Sequence, residues 1–181
     1  MQEFYNKHSK IIIFGTFALV AIIELLMGRN LWCPAGDISI WSIDINSIHN
    51  SQHLIDAYSL THISHGIIFL ILLSIIPYFK KSTFSTKLLI AVFIESFWEI
   101  IENSSIIINR FRESTISLGY LGDSIANSLS DIIFMMLGLW IASKMPTKYA
   151  FTLVIIFEIV CYLLIRDNLI LEIIQIIHPL K

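Results

Sequence analysis

Five stretches of this chain are apolar over nearly the thickness of a bilayer's hydrocarbon core: residues 11–27, 59–79, 88–108, 124–143 and 149–165. A spanning helix needs about 20 mostly apolar residues, with a range of about 17–25. In lipid a lone segment satisfies its backbone only as a helix, and these runs lack the short alternating segments of a barrel. Hydrophobic residues make up 56% of the 181 and charged residues 14%, where a soluble domain has about 25% charged. A soluble globular fold and intrinsic disorder are both excluded on those figures. The expectation is an all-α, polytopic membrane helix bundle. It has about five transmembrane helices in one integral membrane domain, residues 1–181.

The connections carry the orientation. Lys7 and Lys10 precede the first apolar run, as in a signal peptide. That run continues to Met27, however, and Gly28-Arg29-Asn30 is no small-x-small cleavage site, so a retained first span is expected. The long connection 28–58 contains Trp32, Pro34, Gly36 and Trp41. Tryptophan favours the lipid–water boundary, so this loop is expected on the membrane surface. Residues 169–177 are apolar but too short to span, and either lie in the interface or pack back on the bundle. With the N-terminus cytoplasmic, Lys7, Lys10, Lys80, Lys81, Lys87, Lys144 and Lys148 fall inside. Arg29, Arg110, Arg112, Arg166 and Lys181 fall outside. The arginines, all on one side, are suited to planar pairing with carboxylate or phosphate.

In this topology the polar residues of every span gather toward the outer end; Glu158, in the middle of the fifth, is an exception. His62 and His65 are three apart, Glu95, Glu99 and Glu102 stand at offsets 0, 4 and 7, and Asp123, Asn127 and Asp131 at 0, 4 and 8. Each set lies on one stripe of a helix. A charged side chain at the bilayer centre costs about 2.5–3.5 kcal/mol on insertion scales, so three carboxylates on one stripe face the bundle interior, a partner, an ion or water. Each set also has a structural reading. The three glutamates can pair with Arg110 and Arg112, and Asn127 with Ser128 can join helices by hydrogen bonds.

The segments Met27-Gly28-Arg29 and Trp32-Cys33, the run from Asn50 to Gly66, and Trp98 with Glu95, Glu99, Glu102, Asn103 and Ser104 carry a resemblance. Arg112 with Thr115, the run from Tyr120 to Asp131, and Ile165-Arg166-Asp167-Asn168-Leu169 extend it over nearly the whole chain. It resembles a proteobacterial inner-membrane family catalogued as domain of unknown function 2585, with Ala57 a departure at a turn. The resemblance implies a multi-pass bacterial inner-membrane protein and implies no reaction. A looser similarity is to the VanZ-like membrane proteins, which combine a helix-2 histidine, helix-3 acids, a following arginine and an Asp-x-x-x-Asn.

Three kinds of function remain open. The first is a metal-dependent hydrolase or transferase acting on a lipid or envelope precursor. His62, His65 and Asp131 are its candidate metal ligands, and Glu99, Glu102, Asp123 and Arg112 its candidate catalytic groups. Arg166, Arg29 and Asn127 are candidates for binding substrate, and His53, Asp56, Glu95 and Asn103 for orienting the ligands. A mixed histidine/carboxylate set suits a divalent metal, the cofactor expected for this reading. The second is a metal-free proton- or cation-binding site. The third is a non-enzymatic membrane subunit whose polar face meets a protein partner or a second copy. The formal net charge of −2 leaves no basic patch for nucleic acid. Cys33 and Cys161 form no CxxC, so neither a zinc knuckle nor a thioredoxin-like motif is expected. Cys33 is a candidate nucleophile without a motif around it.

Overall fold

The computed structural model describes residues 2–117 and 119–178, with side chains from residue 7 onward. Among the described residues it contains seven helices and no strand. They are α1 (Gln2–Leu26), α2 (Ser59–Ile75), α3 (Phe84–Glu102), α4 (Ser105–Ser114), α5 (Ile125–Ser143), α6 (Thr147–Ile165) and α7 (Leu169–Ile177). Three are long and apolar enough to cross a membrane: Lys7–Leu26 within α1, then α5 and α6. Helix α2 is apolar but has 17 residues, and α3 carries Lys87, Glu95, Glu99 and Glu102.

The polarity is inverted relative to a soluble domain. Phe14 and Leu26 of α1 are 78% and 82% exposed, and α5 and α6 expose Trp140, Ile159 and Leu163. Meanwhile Glu24, Glu95, Glu99 and Asp131 are buried. A soluble monomer rarely exposes so continuous an apolar surface; it is the kind of surface that a membrane helix bundle presents.

Helices α2 and α5 form the most extensive packing pair. Glycine makes this possible at their crossing. A Cβ on Gly66 would lie 1.9 Å from the carbonyl oxygen of Met135, and one on Gly138 would lie 2.0 Å from that of Ile63. Small residues at a crossing let two backbones approach, the usual device of membrane helices. Helix α1 packs on α3, and Val20, Ala91, Val92, Ile132, Met135 and Leu139 join them to α5 in an apolar core.

The apolar run 88–108 is not one helix, contrary to the sequence expectation. Helix α3 stops at Glu102, and Ser104 starts α4 by accepting the Ile107 amide on its hydroxyl at 3.4 Å. Between them, Asn103 donates from Nδ2 to Glu24, Asp123 and Ser128 at 3.5, 3.2 and 3.0 Å. The ends of α1 and α3 and the start of α5 therefore meet on one amide.

The connection 28–58 packs against the helix ends. The carbonyls of Asn30 and Leu31 accept the first amides of α5, from Ile125 and Ala126, at 2.8 and 3.3 Å. Those amides have no partner within the helix. Residues 50–53 and 56–58 are buried. Segment 169–177 forms α7 and packs back on α4. Arg110 holds it by donating from Nε to the Ile176 carbonyl at 2.8 Å.

Candidate functional site

Histidine and carboxylate side chains from α2, α3 and α5 converge beside the Asn103 junction. Glu95 is the anchor. His62 Nδ1 is 2.7 Å and His65 Nδ1 2.8 Å from its Oε1. An imidazole that donates at Nδ1 keeps its Nε2 lone pair, and hydrogen-bonding carboxylates behind metal-binding histidines act in this way. His62 Nε2 in turn lies 3.8 Å from Asp131 Oδ2, while Glu99 Oε1 is 3.7 Å from the same ring at Nδ1.

Three overlapping triads result: His62 with His65 and Glu95; His62 with Glu99 and Asp131; and Glu99 with Glu102 and Asp123. Within each, one ligand atom per residue lies within 4.8 Å of the others. His62 and Glu99 link the three. Glu99 is fully buried, yet neither of its carboxylate oxygens has a hydrogen-bond partner, and Asp131 Oδ1 has none either. None of the ion pairs among the described residues uses an arginine or a lysine.

A cavity of about 60 Å³ adjoins the cluster, room for a hydrated ion or a few waters at about 10–15 Å³ each. His62, His65, Glu102, Asp123, Asn127 and Asp131 face it. Asn127 donates from Nδ2 to the His53 carbonyl at 2.8 Å and to Asp56 at 3.4 Å. Asp56 and Ser59 hydrogen-bond each other at the start of α2.

Asp123 stands just before α5. It accepts the Tyr120 hydroxyl at 2.7 Å, and its amide donates to Asn103 Oδ1 at 2.8 Å. Burial pushes its carboxyl up to about 7, against the Tyr120 hydrogen bond, which favours ionisation. Glu172 of α7 also lines the cavity, and burial, then the charges of Asp167 and Asp56, hold it well above the usual carboxylate range.

The candidate arginines do not line the cavity. Arg29 donates to the Leu121 carbonyl at 2.7 Å, and Arg112 donates to the Tyr120 carbonyl. Both tie down the segment that presents Asp123. Arg166 caps α6 in the left-handed region at φ 58°, exposed, with its guanidinium over the Tyr162 ring.

Sequence reasoning missed Glu172 and Tyr120. Glu172 was legible as the single acid in an apolar segment, though its helix was not placed. Glu158, anomalous in sequence, accepts the Ile170 amide at 3.2 Å and so receives the start of α7. Cys33 and Cys161 are free and buried.

A family model described as "Protein of unknown function (DUF2585)" matches residues 24–181. The chain is 39% identical to a UPF0314 protein of Brucella anthropi, over 94% of this chain and 86% of that one. A UPF0314 protein of Rhizobium johnstonii is 39% identical, over 97% and 90%. Another, from Rhizobium etli, is 42% identical, over 99% and 92%. No solved structure matches the chain, and none of these matches carries the VanZ-like similarity.

Proposed function

The chain belongs to the DUF2585 family, and within that family we propose that it is a metal-dependent hydrolase or transferase of the bacterial inner membrane. Helices α1, α2, α3, α5 and α6 cross the bilayer, with the N-terminus cytoplasmic and the histidine/carboxylate cluster toward the outer face. The observation that carries this reading is Glu99, fully buried among His62, Asp131, Glu102 and Asp123 with both carboxylate oxygens unpartnered. A buried carboxylate without hydrogen bonds is costly, and a divalent ion removes that cost.

His62, Glu99 and Asp131 form the ligand set, with Glu102 and Asp123 beside it; His65 and Glu95 orient His62. A bound divalent ion supplies Lewis acidity and makes a water acidic enough to act near neutral pH. Asn127 and Glu102 face the cavity and can hold a substrate group there. The depth of the cluster suits a lipid or a lipid-linked envelope precursor.

The test is metal content of the detergent-purified protein by mass spectrometry, for wild type, Glu99→Gln, Glu102→Gln and Asp123→Asn. Metal present in wild type and reduced in Glu99→Gln is the expected result, followed by turnover of an envelope lipid. Metal that stays equal in all four folded proteins overturns the metal reading. A second reading, a cation- or proton-binding pocket without turnover, draws on the cavity's size, which suits an ion better than a headgroup. Metal bound with no turnover of any lipid class favours it. A non-enzymatic subunit would instead co-purify with a protein partner or a second copy.

A further inference from the structure

A second group of ligand atoms lies outside the helices, in the connection between α1 and α2. Cys33, Asp37, His49 and His53 each offer one atom, all within 4.8 Å of one another. We propose that these four residues bind a structural zinc ion, separate from the histidine/carboxylate cluster.

The distances around His49 match the edges of a zinc tetrahedron, and the remaining pairs lie within 4.8 Å. Bonds of about 2.0–2.1 Å to nitrogen, 2.0–2.2 Å to oxygen and 2.3 Å to sulfur give ligand–ligand edges of roughly 3.3–3.6 Å. His49 Nδ1 lies 3.3 Å from His53 Nε2, 3.4 Å from Cys33 Sγ and 3.6 Å from Asp37 Oδ2. His53 Nε2 lies 3.8 Å from Asp37 Oδ1.

Hydrogen bonding does not account for this convergence. His49 Nδ1 either donates one proton or accepts on one lone pair, so it can hydrogen-bond only one of its three neighbours at a time. Asp37 Oδ1 is buried without a hydrogen-bond partner, and His53, which aims Nε2 into the group, is completely buried. A cation at the centre satisfies all four atoms together.

The surrounding chain holds the four in place. Cys33 and Asp37 are brought together by a turn in which the Gly36 amide donates to the Cys33 carbonyl at 3.1 Å. Gly36 sits at φ 75°, a conformation that glycine adopts without strain. The Trp32 indole pins Asp37 by donating to its carbonyl at 2.9 Å. On the other side, the Gln52 amide donates to the His49 carbonyl at 3.2 Å, and the His49 and His53 rings stack at 5.4 Å.

The ligand types select the metal. A thiolate and two imidazoles disfavour magnesium and calcium, which take oxygen ligands, and four protein ligands leave no open position. Cys33 binds as the thiolate and releases its proton to solvent. The ion would staple residues 33–37 to 49–53, next to Asn50 and Ser51, which line the cavity. The His53 carbonyl already receives Asn127 from α5. The zinc thus fixes one rim of the intramembrane site.

Cobalt(II) substitution separates the two sites, because the intramembrane cluster contains no thiolate. The detergent-purified full chain, stripped and titrated with cobalt(II), is expected to show a near-ultraviolet sulfur-to-cobalt charge-transfer band and intense tetrahedral visible bands. The charge-transfer band should disappear in Cys33→Ser and fall in His49→Ala, and it should persist in Cys161→Ser and Glu99→Gln. Circular dichroism checks that each variant is folded. If Cys33→Ser does not fold, wild type and His49→Ala decide. Absence of the charge-transfer band from folded wild type, or its survival in folded Cys33→Ser or undiminished in folded His49→Ala, overturns the proposal. Loss of metal from Glu99→Gln with the band intact would concern the other site alone.

Discussion

His62 and Glu95, on α2 and α3, are joined Nδ1 to Oε1 at 2.7 Å, and His65 shares the same carboxylate oxygen at 2.8 Å. Glu95 therefore orients both rings, and Glu99, one turn away, presents its carboxylate to His62 and Asp131. Glu95→Gln keeps the shape and weakens the orientation. It is expected to lower metal affinity about 10–100-fold, the usual cost of losing such a partner. Glu99→Gln removes a ligand and should cost more. Competition with a graded chelator series measures both, and equal effects would mean that Glu95 does not act through the histidines.

The α2–α5 crossing is set by backbone contact at Gly66 and Gly138. Gly66→Ala and Gly138→Ala are each expected to destabilise the bundle by about 1–3 kcal/mol, the range for overpacking. Gly15 on α1 has open space where a Cβ would stand, so Gly15→Ala should be neutral or stabilising, by up to about 1 kcal/mol. Thermal unfolding in detergent compares the three. A loss at Gly15 as large as at Gly66 would refute the packing argument.

Glu158 and the Ile170 amide join α6 to the start of α7. Substituting a helix cap by alanine costs about 0.5–2 kcal/mol. Glu158→Ala is thus expected to release α7, which carries Glu172 to the cavity. Hydrogen exchange of amides 170–177 should quicken, about tenfold for each 1.4 kcal/mol. Exchange on α5 should not change, and unaltered α7 protection would mean that the Asn168 cap and Arg110 hold the helix without Glu158.

Asp167 is buried just beyond α6, and burial raises it to about 6, above the opposing hydrogen bond from the Asn168 amide. In an unfolded chain an aspartate titrates near about 3.9. The folded state therefore holds this proton more tightly. Its contribution to stability is full below about pH 4 and is lost as pH rises to about 6. The melting temperature in detergent should carry a component that falls over that window, at about 2–4 °C per kcal/mol. Asp167→Asn should remove that component, and an identical pH slope in the variant would count against it.

Much of this protein was legible in its sequence because the signals are local. Apolar runs of spanning length require helices in lipid, and the offsets of Glu95, Glu99 and Glu102 put them on one inward stripe whatever surrounds them. Even the bounds of residues 169–177 reappear as α7. The break at Asn103 falls in the polar run Glu102-Asn103-Ser104-Ser105, a local signal outweighed in the sequence reading by the apolar residues on both sides, and the helix ends where the Asn103 amide can reach Glu24, Asp123 and Ser128 from other elements.

Tertiary structure decided which polar groups meet. A charged or polar group buried in an apolar bundle must find a partner, and the stripe on which it lies does not say which. Glu95 found two histidines and not an arginine. Arg29 and Arg112 found carbonyls that hold the Asp123 segment, and Glu158 found the end of a helix that folds back beside it. The four residues of the α1–α2 connection are ordinary in sequence, because their spacing follows no helical period. Only the turn at Gly36, together with the stacked rings of His49 and His53, brings a thiol, a carboxylate and two imidazoles to the dimensions of one ion.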